Sequence, residues 1–127
     1  MKYLLDTHAL IWFAEADVQL SPKAKIAIEL PTNSVFVSKV CLWEMAIKFS
    51  IGKLAISKSL SEVIQQIESA GIGLLPLEVS HILLVESMPY VHRDPFDRMM
   101  IAQALREGMT LVSNEAIFDQ YGVARLW

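Results

Sequence analysis

At 127 residues the chain has the length of one domain, enough to bury a hydrophobic core without disulfides or a structural metal, so a single domain over 1–127 is expected. It is 54% hydrophobic with a mean hydropathy of +0.40, yet no apolar run approaches the roughly 20 residues of a helical bilayer span, which excludes that class. A net charge of −3 argues against a protein that holds nucleic acid on a broad basic surface, and Cys41, the only cysteine, excludes an internal disulfide or a cysteine-rich zinc cluster. So much apolar material in a short chain needs a second place to be buried, and an oligomer or partner interface is expected. Met1-Lys2-Tyr3-Leu4-Leu5-Asp6 has no signal-peptide pattern and reads as the start of a folded strand, so a cytoplasmic location is expected.

Tyr3 to Leu5 is the first short apolar run suited to a buried parallel strand. Asp6 follows directly, at the carboxyl end of the strand, where open parallel α/β sheets place their ligand crevice. Two roles are open to it: a ligand, or the N-cap of a helix over His8 to Phe13. Thr7 can share either role. Ser21-Pro22 opens a helix to about Leu30, before Pro31. Val35 to Val37 is the second strand, and Ser38 caps the helix after it. Glu44 lies on the face of that helix shared by Val40, Cys41, Ile47 and Ile51. It is either a functional carboxylate leaning toward apolar neighbours or the partner of Lys48 four residues on.

Ser59 and Glu62 have the spacing of a capping box, Gly73 to Leu75 is a third strand, and Ser80 precedes an apolar helix ending by Pro89. Asp94-Pro95 starts a helix from Pro95 to Glu107 that stops at Gly108. Asp97 shares the stripe of Met100, Ile101, Ala104 and Leu105. A carboxylate on such a stripe costs several kcal/mol unless paired, hydrogen-bonded or bound to a cation, which favours a functional role. The competing reading is a variant capping box with Asp94. Thr110 to Val112 is a strand, and Ser113-Asn114-Glu115 follows at its carboxyl end. Glu115 is either a further acid of the crevice or an ordinary acid at the start of a short helix. Val123 to Leu126 is the last strand. Strands alternating with helices imply an α/β fold, a three-layer α/β/α sandwich with a mainly parallel sheet of about five strands.

Asp6, Glu44, Asp97 and Glu115 at one rim would repel one another and raise their own pKa values unless cations were present. Mg²⁺ or Mn²⁺ fits an all-oxygen donor set, whereas zinc would want His or Cys, and neither HxxxH nor CxxC occurs.

Four segments together, in order and spacing over essentially the whole length, resemble the PIN domain of the VapC toxin class. They are Lys2-Tyr3-Leu4-Leu5-Asp6-Thr7-His8, Ser38 through Trp43-Glu44, His92-Arg93-Asp94-Pro95-Phe96-Asp97-Arg98-Met99-Met100-Ile101-Ala102-Gln103-Ala104, and Leu111-Val112-Ser113-Asn114-Glu115 followed by Phe118. The family's first three acids map onto Asp6, Glu44 and Asp97. Its fourth, commonly Asp, corresponds to Glu115, a departure that lengthens the side chain and leaves direct or water-mediated ligation open there. Asp94 is an additional candidate, and Ser113 stands where the family often has Thr or Ser. The resemblance implies Mg²⁺- or Mn²⁺-dependent hydrolysis of RNA phosphodiester bonds without a histidine base, with His8, His81 and His92 structural or, for His8 and His92, at the rim. Lys39, Lys48, Arg93 and Arg98 become candidate phosphate contacts. It also implies a homodimer and a small antitoxin partner.

Two rival phosphotransfer classes with an aspartyl nucleophile after the first strand do not fit. Haloacid-dehalogenase-like phosphatases want a second Asp where His8 stands, and response-regulator receivers want paired early acids and a late lysine. A PIN-like binding module without catalysis is the remaining alternative.

Overall fold

The computed structural model describes residues 1–127. In chain order the elements are β1 (Lys2–Leu5), α1 (Thr7–Ala14), α2 (Pro22–Glu29), β2 (Ser34–Ser38), α3 (Lys39–Ser50), α4 (Leu60–Ser69), β3 (Gly73–Leu75), α5 (Val79–Ser87), α6 (Pro95–Glu107), β4 (Thr110–Val112), a 3₁₀ turn (Ala116–Tyr121) and β5 (Arg125–Leu126). The sheet has five strands in the order β3-β2-β1-β4-β5, every neighbouring pair parallel, as the alternating pattern predicts. With helices covering it, this is a three-layer α/β/α sandwich.

Strand order determines where the site can lie. From β1 the chain builds outward through β2 and β3, then returns to the other side of β1 to lay down β4 and β5. The order therefore reverses between β1 and β4, and the carboxyl ends of these two strands are where such sheets place their ligand sites. The Asp6 amide closes the ladder there by donating to the Val112 carbonyl at 3.1 Å. Leu4, Leu5, Val37, Leu111 and Val112 are wholly buried in the sheet, which is why these strands are continuously apolar rather than alternating.

Local chemistry accounts for the helix ends. The Ser21, Ser38 and Ser59 hydroxyls each accept the expected N-terminal amide, and Ser59 and Glu62 form a reciprocal capping box. Ser59→Ala is expected to cost about 1 kcal/mol, read from a urea denaturation midpoint at unchanged slope. Gly108, at φ 65°, closes α6 in the left-handed conformation.

Two boundaries differ from expectation. Ser80 does not cap α5, because the helix begins at Val79 and Ser80 lies inside it. Fully buried His81 organises that start instead. Its Nδ1 accepts from the Glu78 amide at 3.0 Å, leaving Nε2–H to donate to Glu107 at 2.9 Å, so one imidazole ties the start of α5 to the end of α6. The last strand is only Arg125–Leu126. Val123 is buried beside it but makes no ladder pairing.

Candidate active site

Asp6 is 2% exposed. Its Oδ1 accepts the Ala9 amide at 2.8 Å, so it caps α1. Burial holds its pKa above the ordinary carboxylate value, the Ser113 hydroxyl and the Ala9 amide draw it down, and the negative charge of Glu115 raises it further. Of the two roles open to Asp6 the structure shows the cap, on a carboxylate that is also buried at the carboxyl end of β1.

Glu44 is 3% exposed on α3. The Thr7 hydroxyl donates to its Oε1 at 2.6 Å, and Lys48 Nζ sits 2.9 Å from its Oε2. The Lys48 pair that spacing suggests is real, and so is the unusual burial. Thr7 thus couples the first acid's neighbour to the second acid across the β1–α3 gap. The Glu44 hydrogen bond raises the pKa of Lys48 and keeps it charged.

Asp97 stands in the first turn of α6 and is only partly covered. Met100, Ile101 and Ala104 on its stripe are buried, whereas Leu105 is exposed. Asp94 Oδ1 accepts the Phe96 and Asp97 amides at 2.8 and 3.1 Å and caps the helix alone. The Asp97 carboxylate turns instead to His92 Nε2, 2.8 Å away, so the variant capping box is only half formed. Burial, with added repulsion from Asp94 and Glu44 and partial relief from His92, pushes the Asp97 pKa up to about 6.

Glu115 precedes the 3₁₀ turn but does not cap it with its side chain. Its amide donates to the buried Ser113 hydroxyl at 3.0 Å, which fixes the turn after β4. The wholly buried Cys41 thiol registers the shared locus. Burial pushes its pKa up to about 12, and Glu44, Asp6 and Asp97 each add to the rise. It is an inert core residue beneath the acids.

The acids thus lie near enough to feel one another's charge but do not close on one point: no three His, Cys, Asp or Glu side chains stand close enough to share an ion. Glu44 is held by Lys48 and Thr7, and Asp97 by His92. Their donor chemistry still suits a hard divalent cation. All are carboxylates, and those of Asp6 and Asp97 are harder to ionise than an ordinary Asp, chiefly through burial and in smaller part through neighbouring carboxylates.

The basic candidates divide. Lys48 is committed to Glu44, and Arg98 donates to the Met88 carbonyl at 3.3 Å and stacks over the Tyr90 ring at 5.1 Å, with its Nε buried and unpartnered. Lys39 and Arg93 are exposed. His8 is exposed, stacked near Trp12 at 5.6 Å, and its charge lowers the pKa of Asp6. The contact that sequence spacing does not reveal is His92 with Asp97. His92 lies before the helix in a connection held by Tyr121, whose hydroxyl accepts the Val91 and His92 amides at 3.2 and 2.8 Å. No helical period links residues across such a loop.

Several solved structures share this fold. VapBC2 from Rickettsia felis, bound to a DNA fragment from their promoter, aligns with a TM-score of 0.76 at 15% identity over 99% of this chain and 98% of that one. VapBC-1 from nontypeable Haemophilus influenzae aligns with a TM-score of 0.63 at 19% identity, over 99% and 97%. FitAcB from Neisseria gonorrhoeae aligns with a TM-score of 0.62 at 17% identity, over 98% and 96%. No curated protein matches the sequence significantly. The family model of the PIN domain matches residues 3–124, nearly the whole length, and this chain belongs to the PIN-domain family.

Proposed function

We propose that the chain is a metal-dependent endoribonuclease, the toxin of a type II toxin–antitoxin pair of the VapC kind. The observation that carries this is the burial of Asp6 and Glu44 with Asp97 beside them, at the switch point of the sheet, with Asp6 and Asp97 held above their ordinary pKa. Capping accounts for Asp6 in the fold, but helix formation requires no buried carboxylate at Glu44 and none at Asp97, where Asp94 caps α6 alone.

In this reading Asp6, Glu44, Asp97 and Glu115 hold Mg²⁺ or Mn²⁺, with Asp94 flanking them. When bound, the cation supplies charge neutralisation at the phosphodiester and an activated water. The chain's own groups do the placing. Thr7 orients Glu44, Ser113 sets the turn before Glu115 and stands by Asp6, and His92 aims Asp97. Lys39 and Arg93 remain free to meet flanking phosphates. Lys48 and Arg98 serve that role only by leaving their present partners. Binding an ion requires the Lys48 and His92 pairs to give way or adjust, so the alternative, an internally neutralised module that binds RNA or protein without cutting, is the reading to test against. Titration calorimetry with Mn²⁺ separates them: wild type is expected to bind and Asp6→Asn to lose most of that binding. No heat from either would favour the binding module.

Partners follow from surfaces and similarity. Trp43 and Ile47 on α3, with Ile51 at its C-cap, form an exposed apolar stripe, and Val79, Ile82 and Leu83 form another on α5. Between them lies an apolar dimple lined by Val40, Trp43, Leu77, Pro95, Phe96 and Met99. A homodimer through this face accounts for apolar content that the core does not absorb. Leu83→Asp is expected to weaken self-association by about tenfold or more, read by sedimentation velocity across a dilution series. An antitoxin partner is supported by the likeness to the VapBC and FitAcB assemblies. No helix is long and apolar enough to cross a membrane, which accords with action on RNA in the cytoplasm.

A further inference from the structure

Gln103 is the wholly buried polar side chain of α6, in a stretch otherwise built of Met100, Ile101, Ala102 and Ala104. Its side-chain hydrogen bonds all cross between elements. The Ser38 hydroxyl donates to its Oε1 at 2.6 Å, and its Nε2 donates to the Pro76 carbonyl at 3.3 Å. Ser38 is at the same time the N-cap of α3, accepting the Val40 amide at 3.0 Å. One amide therefore joins α6 to the start of α3 and to the chain leaving β3.

The pairing has a direction. Residues 38 and 103 meet at one end of the α3–α6 contact, and Trp43 packs edge-on against Phe96, with ring centroids 5.2 Å apart, toward the other. The two helices thus run antiparallel, and the residues that follow this aromatic pair in sequence, Glu44 and Asp97, are the acids each helix contributes. They are close enough for Glu44 to raise the Asp97 pKa. Apolar ridges can be repacked one turn along, which would move one acid about 5.4 Å past the other. A buried, directional hydrogen bond tolerates no such slip. Ser38 to Gln103 is the only side-chain hydrogen bond between the α3 cap and α6.

We infer that Gln103, through Ser38, is a positioning residue that sets the α3–α6 register and hence the separation of Glu44 and Asp97 on which metal binding depends. This rests on the metal-dependent reading above. The test is Mn²⁺ titration calorimetry on the full chain, with thermal unfolding measured in EDTA, for wild type, Gln103→Leu, Ser38→Ala, Ser38→Thr and Val63→Ala. Val63 is a buried residue of α4, which carries none of the acids, so its variant serves as a destabilised control.

Gln103→Leu and Ser38→Ala are expected to weaken Mn²⁺ about tenfold. Ser38→Thr, which keeps the hydroxyl, should bind like wild type, and Val63→Ala should lose stability without losing affinity. Wild-type affinity in folded Gln103→Leu, or an equal loss in Val63→Ala, would overturn the inference and leave the metal site standing. No Mn²⁺ binding by wild type would overturn the metal reading itself and this inference with it. Should Gln103→Leu fail to fold, the Ser38→Ala and Ser38→Thr comparison decides.

Discussion

Asp97→Asn is expected to lower the rate of RNA cleavage by on the order of 10³-fold, and Asp6→Asn by a similar factor, while both variants stay folded. The size follows from the several kcal/mol that a bound cation contributes to stabilising the charge of phosphodiester hydrolysis, at about 1.4 kcal/mol per tenfold. The exchange removes a charge and a ligand but little volume. An amide oxygen at position 97 can still accept from His92, and one at position 6 can still accept the Ala9 amide that caps α1. Single-turnover cleavage of a labelled RNA at saturating Mn²⁺ checks this, with circular dichroism to confirm folding. A variant that cuts nearly as fast as wild type would remove that acid from the site. Glu115→Gln should cost less, because Glu115 is only partly buried and touches the others mainly through its charge on Asp6.

The same Asp97→Asn exchange should stabilise the metal-free protein. Asp97 has a folded pKa of about 6 against an ordinary 3.8, so the folded state holds this proton more tightly than the unfolded chain does. Stability from that proton is fully present below the ordinary value and is lost as pH rises through about 6. At pH 8 in EDTA the ionised, partly buried wild-type carboxylate is therefore a liability that Asn lacks. After discounting for partial solvent exposure, the difference is on the order of 2 kcal/mol in favour of the variant. At pH 3.5, where Asp97 is largely protonated in both states, the two proteins should unfold at nearly the same urea concentration. Excess Mn²⁺ at pH 8 should reverse the order by stabilising wild type alone. A variant less stable than wild type at pH 8 without metal would mean that the His92 pair outweighs burial. Mn²⁺ affinity should also fall as pH drops through about 6, since binding then has to displace the Asp97 proton.

The two effects together would make Asp97 a residue that costs the metal-free fold stability and repays it in the metal-bound protein. They also bear on how far the chain can be read from its sequence. The parallel strands are legible because Tyr3 to Leu5, Val35 to Val37 and Thr110 to Val112 are apolar without alternation, which only a sheet covered on both faces requires. Helix α6 is legible from Asp94-Pro95 at one end and Gly108 at the other. Ser80 misleads because α5 is started by His81, whose ring reaches the Glu78 amide and Glu107, a cap that residue-type preferences do not encode.

For the acids, spacing poses alternatives that the structure resolves by combining them. Asp6 is a helix cap that is also buried, and Glu44 is both paired with Lys48 and buried. What local pattern cannot hold is contact between distant segments. The Thr7 to Glu44 bond spans 37 positions and the Ser38 to Gln103 bond 65, and nothing in either neighbourhood announces the other. Gln103 does leave one visible trace, a polar residue in the apolar run from Met99 to Ala104, where burying an amide needs partners.

The most direct test of the nuclease assignment is incubation of the purified chain, free of any bound inhibitor, with labelled total RNA and Mn²⁺ or Mg²⁺, beside an EDTA control and the Asp6→Asn and Asp97→Asn variants. A metal-dependent nuclease built on these acids cuts only with the metal present and falls silent in EDTA and in both variants. Correctly folded wild type that leaves every RNA class intact, or cleavage that survives EDTA and both substitutions, would contradict it.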